Sequence, residues 1–425
     1  MRRLLLLPCL LLVACADTRL PIPTQDLPMN PMAELKAKLA FTCVHEQIPN
    51  APADSDVLFQ YARWLQKNNQ LKRDKGINTE IERLYRVAAE NGHMKANINL
   101  QNGGMRGQFE VHGHEYLRFS QDLIDAKVAT GYYLISLLLE KGAAGLQEDS
   151  DMALRYLSKA ANTGNAQAQY FIAKKLAPNN IAPDIARQMR RCAAEQGHGE
   201  AALALAVHLQ VSGRFEDALE IFQLGAAAGN ENSTSFLVNG FRGPEPDNEL
   251  YYLAQQEDLE RADRYEKIWR ILANYSYANP KVPEINDIVP LPPAKLPPWD
   301  GKLKWLEERE ANIPPEKPSQ ELIQRLAGEK KLDPATGRPL PGSPVFSQAH
   351  LSAPDCGSGK TCPVSGYWQV RRGWNIGSPD GEPIVRHFKE GDRFPTEPML
   401  HYKFRDWPFS TKITLNDTNV IWRLA

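Results

Sequence analysis

Residues 86–93 read RVAAENGH, and close copies of this octet recur as SKAANTGN at 158–165 and as RCAAEQGH at 191–198. A fourth copy, LGAAAGN, occupies 224–230, and a degenerate copy, AKVATG, occupies 126–131. Self-similarity with a period of roughly 20–50 residues is the signature of a repeat architecture. The fold is therefore decided by what one copy forms and by how the copies stack.

Each copy has a glycine as its anchor, and the anchors follow one another at intervals of 32 to 39 residues. The anchors are Gly92, Gly131, Gly164, Gly197 and Gly229. Apolar residues three or four apart precede the glycine, which predicts a helix, and glycine ends a helix readily in the left-handed conformation. A second apolar run follows at once. One such helical hairpin cannot bury its apolar face alone, whereas stacked copies can.

The Ala-Ala-x-x-Gly signature with this period resembles the Sel-one-like repeat, a relative of the tetratricopeptide repeat. The resemblance covers about residues 80–240, together with a helix around 57–66. It implies an α-solenoid that binds proteins, and it does not imply chemistry. The unit at Gly131 departs from the pattern because it lacks the paired alanines. The alternative is an irregular all-α domain.

The last third of the chain changes in composition. Residues 250–277 predict one or two further helices that cap the array, and residues 280–298 are so rich in proline that they predict an extended strap. Beyond Cys356, the runs at 367–374 and 383–388 and two short runs within 412–424, where Ile413 and Leu415 alternate with polar residues, predict strands. The predicted fold is mainly α: an α-solenoid of stacked helical hairpins with a Pro-rich strap and a small C-terminal antiparallel β module.

The first residues predict export. Arg2 and Arg3 precede a short apolar stretch that is too short to span a bilayer, which is typical of a secretory signal. It ends in LVAC at 12–15, which resembles the lipobox of bacterial lipoproteins and implies that Cys15 carries the lipid. Ala16, in place of an aspartate, implies the outer membrane rather than the inner. The predicted domains are a signal peptide (1–14), a tether (15–34), the solenoid (35–278), the strap with a short helix (279–355) and the β module (356–425).

Six cysteines occur in the chain, of which Cys9 is lost with the signal peptide and Cys15 carries the lipid. An oxidising compartment permits disulfides between the others. Cys356 and Cys362 are separated by five residues, two of them glycines, and we predict that they form a disulfide that staples the β module. A bond between Cys43 and Cys192 would join distant segments, and the sequence leaves it open.

Composition and motifs exclude several functions. The formal net charge of −1 does not favour nucleic acid as a partner. GSGKT at 357–361 lacks the first glycine of a phosphate-binding loop, because Pro354 occupies that position. His112 and His114 have no third ligand at metal-binding spacing. The sequence therefore predicts no catalytic residues, no metal and no cofactor, and hence a binding protein rather than an enzyme.

The whole layout resembles periplasmic lipoprotein immunity proteins that neutralise type VI secretion effectors, notably phospholipases. The resemblance is carried by the lipobox, the repeats, the strap ending in PPAKLPPW at 292–299, and CPVSGYW at 362–368 with RHF at 386–388. It implies a protein partner, a secreted phospholipase toxin, and contact with the membrane through the lipid anchor only. The alternative is an envelope scaffold that organises cell-wall or secretion proteins through its solenoid.

Overall fold

The computed structural model of the protein describes residues 41–177, 181–346, 356–363, 366–370, 376–377, 384–403 and 412–424. The predicted signal peptide, the lipid site Cys15 and the 15–34 tether lie outside these residues. Within them the chain forms fifteen α-helices and seven short strands, so the protein is mainly α. None of the helices in this described part is long and apolar enough to cross a membrane.

The helical array is an α-solenoid of consecutive hairpins. Five consecutive hairpins, formed by the second to the eleventh helices, lie between the first helix and the twelfth. The bounds are α1 (Ala53–Asn69), α2 (Lys75–Glu90), α3 (Met94–Met105), α4 (Gly113–Asp125), α5 (Thr130–Glu140), α6 (Ser150–Asn162), α7 (Ala166–Leu176), α8 (Pro183–Glu195), α9 (Gly199–Val211), α10 (Phe215–Ala227), α11 (Glu231–Gly240) and α12 (Leu259–Asn274). Three shorter helices follow: α13 (Ile285–Ile288), α14 (Lys304–Ala311) and α15 (Gln320–Glu329).

The small side chains of the repeat lie where the two helices of a hairpin approach each other. Ala88, Ala160 and Ala193 each stand four residues before the turn glycine and are fully buried. In the last hairpin this position is Gly225, where an added Cβ would lie 2.6 Å from Cβ of Ser233 in the facing helix. Each of these hairpins therefore has a close approach of its two backbones at the same position, which only the smallest side chains allow.

Gly131 is not the turn residue that the repeat pattern predicted. It lies in the first turn of α5, and the left-handed position of this turn is held by Lys127, with φ +60°. A Cβ on Gly131 would lie 2.9 Å from Cβ of Leu123 and from Cγ1 of Ile124. Leu123 and Ile124 occupy the positions of the alanine pair. The small residue that allows the two helices to approach is therefore Gly131, on the facing helix.

The strap, predicted at residues 280–298, comprises residues 279–303 in the structure. It packs on the last hairpins and on α12. Val282, Ile285 and Ile288 are buried in the same apolar core as α9 to α12. Because the strap forms little regular structure, its carbonyl groups need other donors. The Gln223 side chain donates to Val289 O at 2.9 Å, and Arg264 donates to Ile288 O at 2.6 Å.

Beyond the strap the chain returns to the start of the array. Ile323 and Leu326 of α15 are buried in the core formed by α1 and α2. Ahead of them, the end of α14 contacts α1: Lys67 Nζ donates to Glu308 O and Trp64 Nε1 donates to Asn312 O, both at 3.3 Å. The first and last helices of the array are therefore connected by one continuous stretch of chain.

The C-terminal residues form the small antiparallel β module. The strands are β1 (Cys356–Gly357), β2 (Gly366–Val370), β3 (Ile376–Gly377), β4 (Val385–Phe388), β5 (Glu397–Lys403), β6 (Lys412–Thr418) and β7 (Ile421–Leu424). One sheet has the order β1-β7-β2-β4 and the other has the order β3-β5-β6. Trp368, Phe394 and Trp422 are buried at the centre of the module. The ring of Phe394 makes an edge contact with Trp368 and stacks on Trp422.

The predicted disulfide between Cys356 and Cys362 is wrong for this structure, which does not join the two residues to each other. Both side chains are buried in the aromatic core of the β module. A cysteine in such a place packs as a small apolar side chain. The described part of the module is therefore held by its aromatic core and by backbone hydrogen bonds, such as the one from Cys362 N to Asp392 O at 2.6 Å.

Candidate protein-binding surface

The turns inside the hairpins lie along one edge of the array, which we call the turn edge: residues 91–93, 126–129, 163–165, 196–198 and 228–230. In four of these turns the glycine has a positive φ: Gly92 (+82°), Gly164 (+115°), Gly197 (+82°) and Gly229 (+79°). The residue after each glycine caps the next helix by accepting a hydrogen bond from the backbone N–H three residues later. These caps are His93, Asn165, His198 and Asn230, at 2.8–3.1 Å.

The caps were not part of the sequence prediction, although the Gly-Asn dipeptides carried a usable signal. Asparagine is among the preferred N-cap residues because its side-chain oxygen satisfies a free N–H of the first turn. The two histidine caps have a weaker signal. Each accepts through Nδ1, which must then be unprotonated, and burial lowers the pKa of both His93 and His198.

The second turn has no cap of its own and receives one from elsewhere in the chain. Ala129 precedes α5 and has no side chain that could accept a hydrogen bond. The carboxylate of Glu46 takes this place, accepting from Thr130 N at 2.5 Å and from Thr130 Oγ1 at 2.9 Å. A carboxylate also suits the positive end of a helix dipole. Glu46 therefore completes the irregular repeat.

Glu46 belongs to the N-terminal segment, residues 41–52, which runs along the turn edge in the direction opposite to the repeats. Its residue Val44 accepts a hydrogen bond at O from Gln169 Nε2 at 3.0 Å, and Glu46 N donates to Gln196 Oε1 at 2.9 Å. At Gly164 an added Cβ would lie 2.6 Å from Glu46 N, so glycine is required there by the contact as well as by φ. The segment is thus seated on several repeats at once.

A disulfide fixes the start of this segment. Cys43 and Cys192 are bonded, with Sγ atoms 2.04 Å apart and Cα atoms 5.5 Å apart, across 149 residues of sequence. Cys192 is buried in α8. The pairing that the sequence left open is therefore the one found in the structure, and it ties the N-terminal segment to the fourth hairpin.

The strap covers the turn edge at its other end. An added Cβ at Gly229 would lie 1.9 Å from Pro280 O, and Val282 N donates to Ala227 O at 2.9 Å. Lys281 Nζ donates to Ala228 O at 2.6 Å and reaches Gly197 O at 3.4 Å. Two extended pieces of the chain therefore lie on the same edge, one from each side.

Between them the turn at Gly197 is open. A Cβ added to Gly197 would meet no heavy atom within 4 Å. A groove of about 380 Å³ lies beside this turn. Its walls come from the N-terminal segment and from two neighbouring turns with the helix starts that follow them: Glu46, Ile48, Asn165, Ala166, Gln167, Gln196, Gly197 and His198. The lining is polar and apolar in about equal parts, and Glu46 is its acidic residue.

A buried ion cluster lies at the first hairpins. Arg86 and Glu115 are 1% exposed; Arg86 pairs with Glu115 and also with Glu82, at 2.9 Å. Burial would raise the pKa of Glu115, but the charge and hydrogen bonds of Arg86 and a bond from His112 N outweigh it and lower the pKa to about 2. Arg338, beyond α15, lies 3.8 Å from Glu82. The cluster thus links α2, α4 and the chain after α15.

One group of side chains in the described residues has the proximity that a metal site needs: ligand atoms of Cys43, His45 and Cys192 lie within 4.8 Å of one another. Because both sulfurs are in the disulfide, they are not thiolate ligands here. His112 and His114 stack on each other with ring centroids 6.3 Å apart, outside this group. Residues 357–361 run from β1 through a turn to a bridge between Thr361 and Arg393, so no helix follows them.

A known family model matches part of the chain. The model of a domain of unknown function, DUF6396, matches residues 233–340. These residues extend from α11 through the strap and α15 to the bridge between Leu332 and Pro339. No curated protein matches the chain. The matched part is therefore the stretch that connects the last hairpin to the first helices.

Solved structures similar to this chain come from several bacteria. Protein 5086 and the immunity protein PA5088, both from Pseudomonas aeruginosa, are 26% and 25% identical; the matches cover 60% of this chain and 95% and 94% of theirs, with TM-scores of 0.46 and 0.47. A Sel1 repeat protein from Oxalobacter formigenes is 21% identical over 51% of this chain and 86% of its own, with a TM-score of 0.35. The solved structures similar to this chain thus include Sel1 repeat proteins and immunity proteins.

Proposed function

We propose that this chain is a lipid-anchored periplasmic protein that binds a secreted toxin and neutralises it without catalysing a reaction. The lipobox ending at Cys15 supports the location, and the resemblance of the repeats, the strap and the β-module motifs to immunity lipoproteins supports the role. The toxin class that this resemblance favours is a phospholipase effector of type VI secretion.

The observation that carries the proposal is the construction of the array. Stacked hairpins present a long surface for a protein partner. Here the two ends are also connected through the strap, α14 and α15, and the N-terminal segment is bonded to α8 by the disulfide. A surface held in one conformation loses less entropy on binding, which favours tight and long-lived complexes. Stoichiometric neutralisation of a toxin requires such complexes.

An aromatic cluster at the end of α12 offers an anchor for the partner. The guanidinium of Arg309 lies 5.4–5.8 Å from the ring centroids of Tyr275, Tyr277 and Trp305. Tyr277 is 44% exposed, and the other two rings are half-buried. Tryptophan, tyrosine and arginine are the residues that most often dominate the binding energy of interfaces. We expect this cluster to be one of the contact sites.

The test is protection of a susceptible strain that exports the mature chain and is attacked by a type VI phospholipase effector. Survival should rise with the amount of chain, and the chain should purify with the effector at a fixed ratio. Tyr277→Ala with Arg309→Ala should weaken the complex, whereas Arg270→Ala, which removes an exposed arginine of α12, should not. Unchanged killing with no complex, together with altered cell-wall assembly on deletion, would favour the scaffold instead. Turnover of phospholipid by the purified chain would contradict both.

A further inference from the structure

The N-terminal segment exposes an extended stretch of backbone. Among the described residues, 41–50 take part in no backbone–backbone hydrogen bond and belong to no helix or strand. Side chains of the repeats hold the segment instead, through Gln169 at Val44 and through Gln196 at Glu46. Extended backbone with unused N–H and C=O groups is a template for an added strand.

The groove at Gly197 runs along this stretch. Glu46 and Ile48 form its wall on the segment side, and Gln167 and His198 belong to the opposite wall. The Gln167 side chain meets His198 Nε2 at 2.9 Å, so this wall is itself ordered. Backbone on one side and fixed side-chain amides on the other are the surroundings that an extended peptide needs.

The protein itself shows how extended chain binds to this edge. At Gly164 the occupant is residues 45–46, and at Gly229 the occupant is Pro280 with its neighbours. Both occupants come from the same chain, and both are held through backbone groups, such as Val282 N to Ala227 O. The turn at Gly197 also has a glycine with positive φ and a cap at the next residue, His198, but it has no such occupant.

We infer that the groove at Gly197 is a binding site for an extended segment of the protein partner, which adds beside residues 45–48 and lies across the turn as the chain's own segments do at the neighbouring turns. Backbone hydrogen bonds supply the attraction in this mode, and the flanking pockets select side chains. The inference rests on the proposed function, because it names where the neutralised protein would contact the chain.

The experiment uses the full mature chain and two probes: a type VI phospholipase effector that the chain neutralises, made catalytically inactive, and an array of twelve-residue peptides covering that effector. Gln167→Trp fills the groove. Asn232→Trp is the matched control, because residues 167 and 232 are the second residues of α7 and α11. We expect at least one peptide to bind, and Gln167→Trp to weaken effector and peptide binding about tenfold or more, with Asn232→Trp unchanged. Equal thermal unfolding of both variants shows that they fold.

Hydrogen exchange gives a second readout that needs no variant. In the complex, the amides of residues 47 and 48 and of the turns at 164 and 197 should exchange more slowly. Binding of the whole effector with no bound peptide, no protection at these amides and no effect of Gln167→Trp would overturn the inference and leave the proposed function standing. Binding of neither the effector nor any peptide would overturn both.

Discussion

The disulfide between Cys43 and Cys192 should account for a large part of the stability of the array. It closes a loop across 149 residues, and the chain-entropy relation for a loop of that length gives about 5 kcal/mol at 25 °C. The bond also holds residues 41–50, which have only a few side-chain hydrogen bonds to the repeats. Replacing both cysteines by serine should therefore lower the free energy of unfolding by about 2–5 kcal/mol and release the segment.

The assay is urea unfolding followed by circular dichroism, with and without a reductant, together with limited proteolysis mapped to residues 41–50. Reductant should bring the native protein to the stability of the Cys43→Ser, Cys192→Ser variant and should not affect that variant further. The matched control is the pair Cys356→Ser and Cys362→Ser, whose unfolding should still respond to reductant. If the first variant unfolds within about 0.5 kcal/mol of the oxidised native protein, the reasoning is refuted.

Three further outcomes are expected. Glu115→Gln should lose about 3 kcal/mol in urea unfolding at neutral pH, because Arg86 then stays buried with Glu82 as its remaining carboxylate partner. The pKa of Glu115 in the folded protein, about 2, lies below its ordinary value of 4.5. Its contribution to the free energy of unfolding, about 3 kcal/mol, is therefore present above pH 4.5 and is lost as the pH falls to 2. Acid titration of Glu115→Gln should not show this loss. Glu46→Gln should cost about 1 kcal/mol and raise hydrogen exchange in the first turn of α5, while an unchanged first turn would speak against the cap. Cys15→Ser should leave the chain unprocessed or free of the membrane fraction, and a normal-mass, membrane-bound product would rule out the lipobox.

The sequence predicted the hairpins because each one is a local pattern repeated several times. It did not predict which cysteines pair, because Cys43 reaches Cys192 only when the N-terminal segment runs back over the finished array. Nearness in sequence favoured Cys356 with Cys362, but in the structure both side chains pack in one aromatic core without a bond to each other. Contacts that depend on the path of a non-repeating segment are invisible to a pattern search.

Strand β5 shows a second limit. Its Pro398 argues against a strand inside a sheet, since proline has no N–H to donate. In the structure Pro398 lies opposite Asp417 of β6, while the described part of β3 pairs only with Leu400 and His401. Within the described residues a strand flanks Pro398 on one side only, and an edge position of this kind tolerates proline. The sequence does not show whether a strand has a neighbour on one side or on both, so it could not show that proline is allowed at this position.

The irregular second hairpin shows how the structure accommodates a copy that departs from the repeat pattern. It lacks the alanine pair, and Gly131 in the facing helix restores the close approach. It lacks a cap after the turn, and Glu46 supplies one from outside the repeat. Each departure from the repeat is matched by a residue elsewhere that performs the missing task. In this array the degenerate copy is therefore one of the places where a non-repeating part of the chain is attached, here the N-terminal segment through Glu46.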